Sequence, residues 1–154
     1  MPKKKILQED REYTFCSYFE LAEDPDEILA ELGYTLVIAE LLLPKTTKEL
    51  VKISELKQKI KRILPFIRLN NETARREMLV SPLLLEIVDY CNCQLRIEYP
   101  LKVNNWLKGN LDYLLYSTNG VLIVEAKNDD LTRGFTQLAA ELIALSYIEE
   151  NTIF

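Results

Sequence analysis

Hydrophobic residues recur at helical spacing through the first ninety residues, and this pattern predicts helices separated by turn signals. Residues 19–32 carry apolar side chains at this spacing, with an Asp-Pro pair as a start signal and Gly33 as a stop signal. Residues 46–64 place apolar side chains on one face and mostly basic side chains on the other. Pro65 is expected to end this second helix.

A further helix is predicted over residues 70–90, after which the spacing of apolar residues changes to that of strands. Pro82 predicts a kink in that helix, or a restart capped by Ser81. Residues 93–103 alternate apolar and polar side chains, which is typical of a strand. The following residues, 111–130, contain two apolar arms joined by Asn-Gly, the strongest short signal for a β-hairpin.

The chain closes with one more helical pattern, which Asp129 or Asp130 can cap, and residues 151–154 resemble the start of a further strand. The apolar stripe of this helix consists of Leu131, Phe135, Leu138, Leu142 and Leu145. The predicted fold class is α/β of the mixed α+β kind. Residues 1–68 form a helical N-terminal region, and residues 69–154 form a compact core of a helix, a three-stranded antiparallel meander and a packing helix.

Composition restricts the class of protein further. The 154 residues suit one domain, and a hydrophobic content of 48% argues against disorder. The sequence has neither an apolar run of about 20 residues nor a secretory signal at its start, so we expect a cytoplasmic protein without a membrane partner. Three cysteines fit reduced thiols in or near the core.

The absence of histidine excludes the catalytic classes that depend on it, including Ser-His-Asp and Cys-His nucleophiles and histidine-ligated metals. Catalysis would therefore use carboxylates, lysine and a hard metal ion. The net charge of −5 argues against broad nucleic-acid binding but permits a local basic face.

Three ionisable residues, Asp112, Glu125 and Lys127, lie within the apolar arms of the predicted hairpin. A type I′ turn at Asn-Gly would place Leu114 opposite Glu125 and Asp112 opposite Lys127. All three charged residues would then share one face, with the two acids roughly 7–8 Å apart between backbones. Ala126 would point to the other face, beneath the last helix.

Two converging carboxylates repel each other unless a cation lies between them, and Mg²⁺ or Mn²⁺ prefers such ligands. Lys127 could then hold a water molecule or stabilise negative charge on a phosphate, as metal-assisted phosphodiester hydrolysis requires. The alternative is an ordinary cross-strand ion pair between Asp112 and Lys127 on a solvated face. The largely apolar character of the face favours a site.

These residues resemble the PD-(D/E)XK nuclease superfamily, whose fold is restriction-endonuclease-like. The family pattern of an acid, then E/D-x-K, then a helix matches GNLDYLLY, VLIVEAKND and GFTQLAAELIAL. The resemblance implies that Asp112 and Glu125 bind metal, that Lys127 is catalytic, and that Gln137 contributes from the helix. Gln137 could equally be an exposed helix residue.

Upstream, NETARREMLVSPLL is similar to a helix in the N-terminal nuclease domains of type I restriction motor subunits. On that match Glu72 would be a further acid reaching the metal, with Glu77 as the alternative, although either could be an ordinary surface glutamate. Arg76 could pair with Glu72 or contact a phosphate. The family continues through a further strand and helix, so the resemblance implies a truncated last strand.

The expected activity is metal-dependent hydrolysis of DNA. The side chains expected to contact the DNA backbone are Lys57, Lys61, Arg62 and Arg76, although a solvated helix face also explains the first three. The alternatives are an inactive nuclease-fold module that binds DNA or a protein, and an oligomeric accessory protein. A homodimer could form through the open sheet edge.

Overall fold

A computed structural model describes residues 5–127, 130–150 and 153. The helices are α1 (Phe15–Glu20), α2 (Pro25–Glu31), α3 (Val51–Ile63), α4 (Glu72–Arg75), α5 (Ser81–Cys91) and α6 (Leu131–Ser146). The strands are β1 (Gln94–Lys102), β2 (Lys108–Ser117) and β3 (Gly120–Val124), and they form one antiparallel sheet in the order β1-β2-β3. The predicted mixed α+β class is therefore confirmed.

The chain divides into two compact units: residues 1–37 with 94–154, and residues 38–93. The boundary predicted between residues 68 and 69 falls inside the second unit. N-terminal residues join the core of the first unit because large apolar side chains, including Leu7, Phe15 and Tyr18, are buried there. The hydroxyl of Tyr18 donates to the carbonyl of Trp106 at 2.7 Å, which ties α1 to the β1–β2 loop.

In the first unit, the predicted helix over residues 19–32 is instead two short helices. Helix α1 ends at Glu20, and α2 starts at Pro25, which occupies its first turn, where the missing N–H costs nothing. Gly33 follows the end of α2 with a positive φ of 84°, in agreement with its predicted role as a stop signal.

The second unit contains α3, α4 and α5. Residues 64–66 form a 3₁₀ turn that includes Pro65, after which the helical path ends. Helices α4 and α5 are joined by a π-helical turn, Arg76–Val80, rather than by a cap at Ser81. The wider turn precedes Pro82, whose ring and missing N–H are incompatible with regular α-helical bonding to the previous turn.

The sheet is buried most deeply along β2, where residues 111–115 are all buried. Strand β3, at one edge of the sheet, also forms an isolated parallel bridge between Val121 and Ile153. Ile153 lies in the segment where a further strand was predicted. Helix α6 contacts α1, α2, β1 and β3, and Asp130 caps its start by accepting a hydrogen bond from the Arg133 N–H at 3.2 Å. Asp129, the alternative cap, lies outside the described residues.

Two further expectations concern the whole chain. None of the described helices combines the length and the apolar character needed to cross a bilayer. The three cysteines are free thiols, of which Cys93 is buried whereas Cys16 and Cys91 are exposed.

Candidate active site

The turn of the hairpin differs from the predicted one. Ser117 pairs with Gly120, so the two loop residues are Thr118 and Asn119. Neither has a positive φ, so this is not a type I′ turn. The reason is Ser117: its hydroxyl accepts from the Asn119 N–H at 3.2 Å and bonds to the Gly120 carbonyl at 3.1 Å. The side chain thus closes the turn one residue earlier than expected.

This turn shifts the register by two residues, which changes the partners of the acids but not their face. Tyr113 pairs with Val124, so the next residues along the two strands, Asp112 and Glu125, face each other just beyond the last pair. The predicted pairings of Leu114 with Glu125 and of Asp112 with Lys127 are wrong. Because side chains alternate along a strand, a shift of two preserves the shared face of the two acids.

Asp112 is a buried acid that fastens the end of the hairpin. Its Oδ2 accepts a hydrogen bond from the Ala126 N–H at 3.0 Å. Strand β3 ends at Val124, so this side chain replaces a ladder bond for the residues that follow. The bond holds the segment carrying Glu125 and Lys127 against β2.

Glu125 receives two donors on one oxygen. Its Oε1 lies 2.7 Å from Lys127 Nζ and 2.7 Å from Gln137 Nε2. The side chains of Glu125 and Lys127 are only 5% and 14% exposed, so this ion pair is largely removed from water. The alternative interpretation required a solvated face, whereas Asp112 is buried and the side chain of Lys127 is only 14% exposed.

Lys127 is positioned by two further elements. Its Nζ lies 5.2 Å from the centre of the Phe19 ring on α1, in cation–π geometry. A Cβ atom at Gly134 on α6 would lie 3.3 Å from the Lys127 Cγ, so the glycine permits close approach of the lysine stem to the helix. Sequence reasoning identified neither contact, and Phe19 is distant from Lys127 along the chain.

Helix α6 covers the acid-bearing face of the sheet, not the opposite face predicted from Ala126. Leu114, Val121 and Ile123 of that face share a buried cluster with Ala140 and Ala144 of the helix. The predicted apolar stripe was partly wrong, since Leu131 and Phe135 are exposed. The buried residues of the helix instead include three polar side chains, Thr136, Gln137 and Glu141.

Gln137 and Glu141 lie one helical turn apart and are 1% and 0% exposed. Gln137 Nε2 donates to Glu125 Oε1 and also to Glu141 Oε1, at 2.9 Å. Among the described residues, Gln137 Oε1 and Glu141 Oε2 are buried polar atoms that make no hydrogen bond. Gln137 therefore lies at the predicted site and is not an exposed helix residue.

Glu141 is the acid that sequence reasoning missed. Burial, followed by the nearby charge of Glu125, raises the pKa of Glu141 from 4.5 to about 9. Its carboxyl group is therefore protonated at neutral pH. The available signal was its spacing of four residues from Gln137, which places both side chains on one helix face.

The other predicted metal-binding and DNA-binding residues lie on the helices of the second unit and on the turn between two of them. Glu72 is the first residue of α4 and is half-buried, and Glu77 is exposed. Arg76 starts the π-helical turn and is half-buried. Lys57, Lys61 and Arg62 are exposed on α3. Their predicted contacts with metal or DNA remain predictions.

The donor set suits a hard divalent cation in its chemistry. Asp112 on β2 and Glu125 just after β3 offer carboxylate oxygens, and Mg²⁺ typically uses one or two carboxylates with water and phosphate oxygens. Gln137, which bonds to Glu125, and Glu141, which bonds to Gln137, each carry a further buried oxygen that makes no hydrogen bond. Within the part of the chain that is described, however, no three Asp, Glu, Cys or His side chains form a metal-binding group.

Comparisons with protein-family models, with curated proteins and with solved structures found no match.

Proposed function

We propose that this protein is a metal-dependent nuclease that hydrolyses phosphodiester bonds of DNA at the Asp112–Glu125–Lys127 cluster. The observation that supports the proposal most is the double contact to Glu125 Oε1 from Lys127 and Gln137. It joins the E-x-K residues and the helix glutamine, which the resemblance to the PD-(D/E)XK superfamily had singled out separately. Asp112 faces Glu125 from the adjacent strand, as that resemblance also implies.

In this proposal Asp112 and Glu125 hold the cation. Mg²⁺ or Mn²⁺, when bound, would activate a water molecule and the phosphate as a Lewis acid. Asp112 is fixed by its bond to the Ala126 N–H, and Gln137 orients the Glu125 carboxylate. The role of Glu72 as a further metal ligand is implied by the resemblance alone and stays a prediction.

Lys127 supplies the positive charge of the proposed reaction. A lysine ammonium group beside a carboxylate can orient a water molecule by hydrogen bonding or stabilise the charge that develops on a phosphate. Little solvent reaches this ammonium group, because its side chain is 14% exposed. Its electrostatic effect on a phosphate would therefore be screened less than that of a surface lysine.

The proposed substrate contacts lie on exposed or half-buried basic side chains of the second unit, namely Lys57, Lys61, Arg62 and Arg76. Contacts of this kind act on phosphates and do not read base sequence. A cytoplasmic location and a homodimer formed through the sheet edge belong to the same proposal.

The decisive experiment is nicking of supercoiled plasmid by the full chain with Mg²⁺ or Mn²⁺. We expect nicking that EDTA abolishes and that Lys127→Met reduces by roughly 100-fold or more. Lys102→Met is the matched control, because Lys102 is an exposed lysine at the end of β1, outside the cluster. Asp112→Asn and Glu125→Gln should abolish metal-dependent nicking.

Nicking that persists in Lys127→Met and Glu125→Gln would contradict the proposal, since another group or a contaminant would be responsible. DNA binding without cleavage by the wild-type protein would instead support an inactive module with a nuclease-like fold. Neither cleavage nor binding of DNA would leave the protein-binding and oligomeric alternatives.

A further inference from the structure

The Gln137 amide links two buried carboxyl groups. Its Nε2 atom carries two hydrogens, and the two acceptors are Glu125 Oε1 at 2.7 Å and Glu141 Oε1 at 2.9 Å. Both contacts have the length of ordinary N–H···O hydrogen bonds. One amide nitrogen therefore uses its full donor capacity between the end of the hairpin and the next turn of α6.

The two acceptors decide which way the amide faces. A glutamine amide can rotate by half a turn, which exchanges its nitrogen and oxygen. In the reversed orientation the Gln137 oxygen would face both carboxyl groups and would oppose the charge of Glu125. In the observed orientation that oxygen is buried without a hydrogen bond from any described residue. The orientation is therefore maintained by the nitrogen's two acceptors and not by a partner for the oxygen.

Glu141 is not accounted for by packing alone. Its side chain is completely buried, and apart from Gln137 its buried neighbours on the helix, including Ala140, Ala144 and Leu145, are apolar. A buried carboxyl group is unfavourable unless it makes hydrogen bonds, and a leucine would fill similar space without that cost. The contact that distinguishes Glu141 from a leucine is its bond with Gln137.

We infer that Glu141 is a positioning residue, which holds the Gln137 amide so that it fixes Glu125 and thereby raises the affinity of the Asp112–Glu125 pair for a divalent cation. The effect on metal affinity rests on the proposed function, whereas the effect on the amide does not. Groups that orient metal ligands typically change metal affinity 10- to 100-fold, and Glu141 acts one residue further away. We therefore expect an effect of about tenfold.

The first test is independent of metal and of cleavage. In ¹⁵N-labelled wild-type protein with EDTA, both side-chain amide hydrogens of Gln137 should exchange slowly, because both are buried and bonded. Their signals are assigned by their loss in Gln137→Leu. If either hydrogen exchanges at the rate of a free glutamine amide in the wild-type protein, the inference is overturned.

The second test compares Glu141→Leu, which keeps the buried volume, with Glu141→Gln, which keeps an acceptor oxygen. Glu141→Leu should speed exchange of the Gln137 amide and weaken Mn²⁺ binding by about tenfold, measured by calorimetry. Glu141→Gln should remain within about threefold of wild type in both measurements. Thr136→Val is the control, because Thr136 is a buried polar residue of the same helix whose hydroxyl bonds to the Thr132 carbonyl.

The outcomes separate the inference from the proposed function. If Glu141→Leu speeds amide exchange but leaves Mn²⁺ affinity unchanged, the metal site exists, and the inference that Glu141 raises its affinity is overturned. Mn²⁺ binding by the wild-type protein that is insensitive to Asp112→Asn and Glu125→Gln contradicts the proposed function. If Glu141→Leu does not fold, the wild-type exchange measurement and Glu141→Gln still decide the inference.

Discussion

Two lysine–carboxylate ion pairs, one in each compact unit, differ mainly in their contact with water. Lys127 and Glu125 are 14% and 5% exposed in the first unit. Lys52 and Asp89 are 58% and 59% exposed in the second unit, where the pair joins α3 to α5. The same chemical groups therefore occur in a nearly dry setting and in a solvated one.

Because the two ion pairs differ in solvation, they are expected to differ in what they contribute to the protein. An exposed pair contributes about 0–1 kcal/mol, which fits a surface contact between two helices. A buried pair gains little over well-packed apolar residues, yet removing one partner leaves an uncompensated charge. The pair at Glu125 lies beside a second buried acid, Asp112, and a third, Glu141. A fold that needed only stability would be better served by apolar residues there.

The largest expected difference is in the free energy of unfolding, between the variants Lys127→Met and Lys52→Met. Loss of Lys127 should lower the free energy of unfolding by roughly 3–5 kcal/mol, because Glu125 would lose its buried counter-charge. Loss of Lys52 should cost less than about 1 kcal/mol. Urea denaturation of the two variants measures both values. Equal effects would show that burial does not distinguish the two pairs.

The pH dependence of stability gives the next largest effect. The folded protein holds a proton on Glu141 with a pKa of about 9, whereas the unfolded chain releases it near the ordinary value of 4.5. The contribution of this proton to the free energy of unfolding is therefore fully present below about pH 4.5 and is lost as pH rises through about 9. Between these limits the free energy of unfolding should fall by up to about 1.4 kcal/mol per pH unit.

Urea denaturation with EDTA from about pH 5 to 8 measures this slope. Glu141→Gln should flatten it, because the amide does not titrate, and Glu150→Gln serves as a control at an exposed glutamate. A slope that is the same in Glu141→Gln and in the wild-type protein would contradict the assignment of the proton to Glu141.

The smallest effect is expected at Gly134. A methyl group there would lie 3.3 Å from the Lys127 Cγ, so the lysine stem must move by a few tenths of an ångström. Alanine is favoured over glycine within helices by about 1 kcal/mol, which offsets the crowding. Gly134→Ala should therefore leave stability within about 1 kcal/mol of wild type and reduce nicking several-fold. Unchanged nicking would show that the position of the lysine stem is not critical.

The elements and the shared face of the acids could be predicted from sequence, but the register could not. Alternation of side chains has a period of two, so the two-residue error left Asp112 and Glu125 on one face. Asn119-Gly120 favoured a type I′ turn, yet the hydroxyl of Ser117 closes the loop one residue earlier. A local side-chain bond of this kind outweighed the preference of the dipeptide.

The buried face of α6 was predicted poorly for a different physical reason. Hydrophobic spacing selected a stripe that includes Leu131 and Phe135, both of which are exposed. The helix instead buries Gln137 and Glu141, because Glu125 accepts a hydrogen bond from Gln137, which also donates to Glu141. The periodicity of hydrophobic residues identifies apolar helix faces. It does not identify a helix face whose buried side chains are polar and hydrogen-bonded.

The most direct test of the central claim is a calorimetric titration of Mn²⁺ into the wild-type chain and into the double variant Asp112→Asn, Glu125→Gln. We predict saturable binding by the wild-type protein and loss of that binding in the double variant, with far-UV circular dichroism as the check that the variant is folded. Binding of equal affinity in both proteins, or no binding in the wild-type protein, would contradict a metal centre at the Asp112–Glu125 pair.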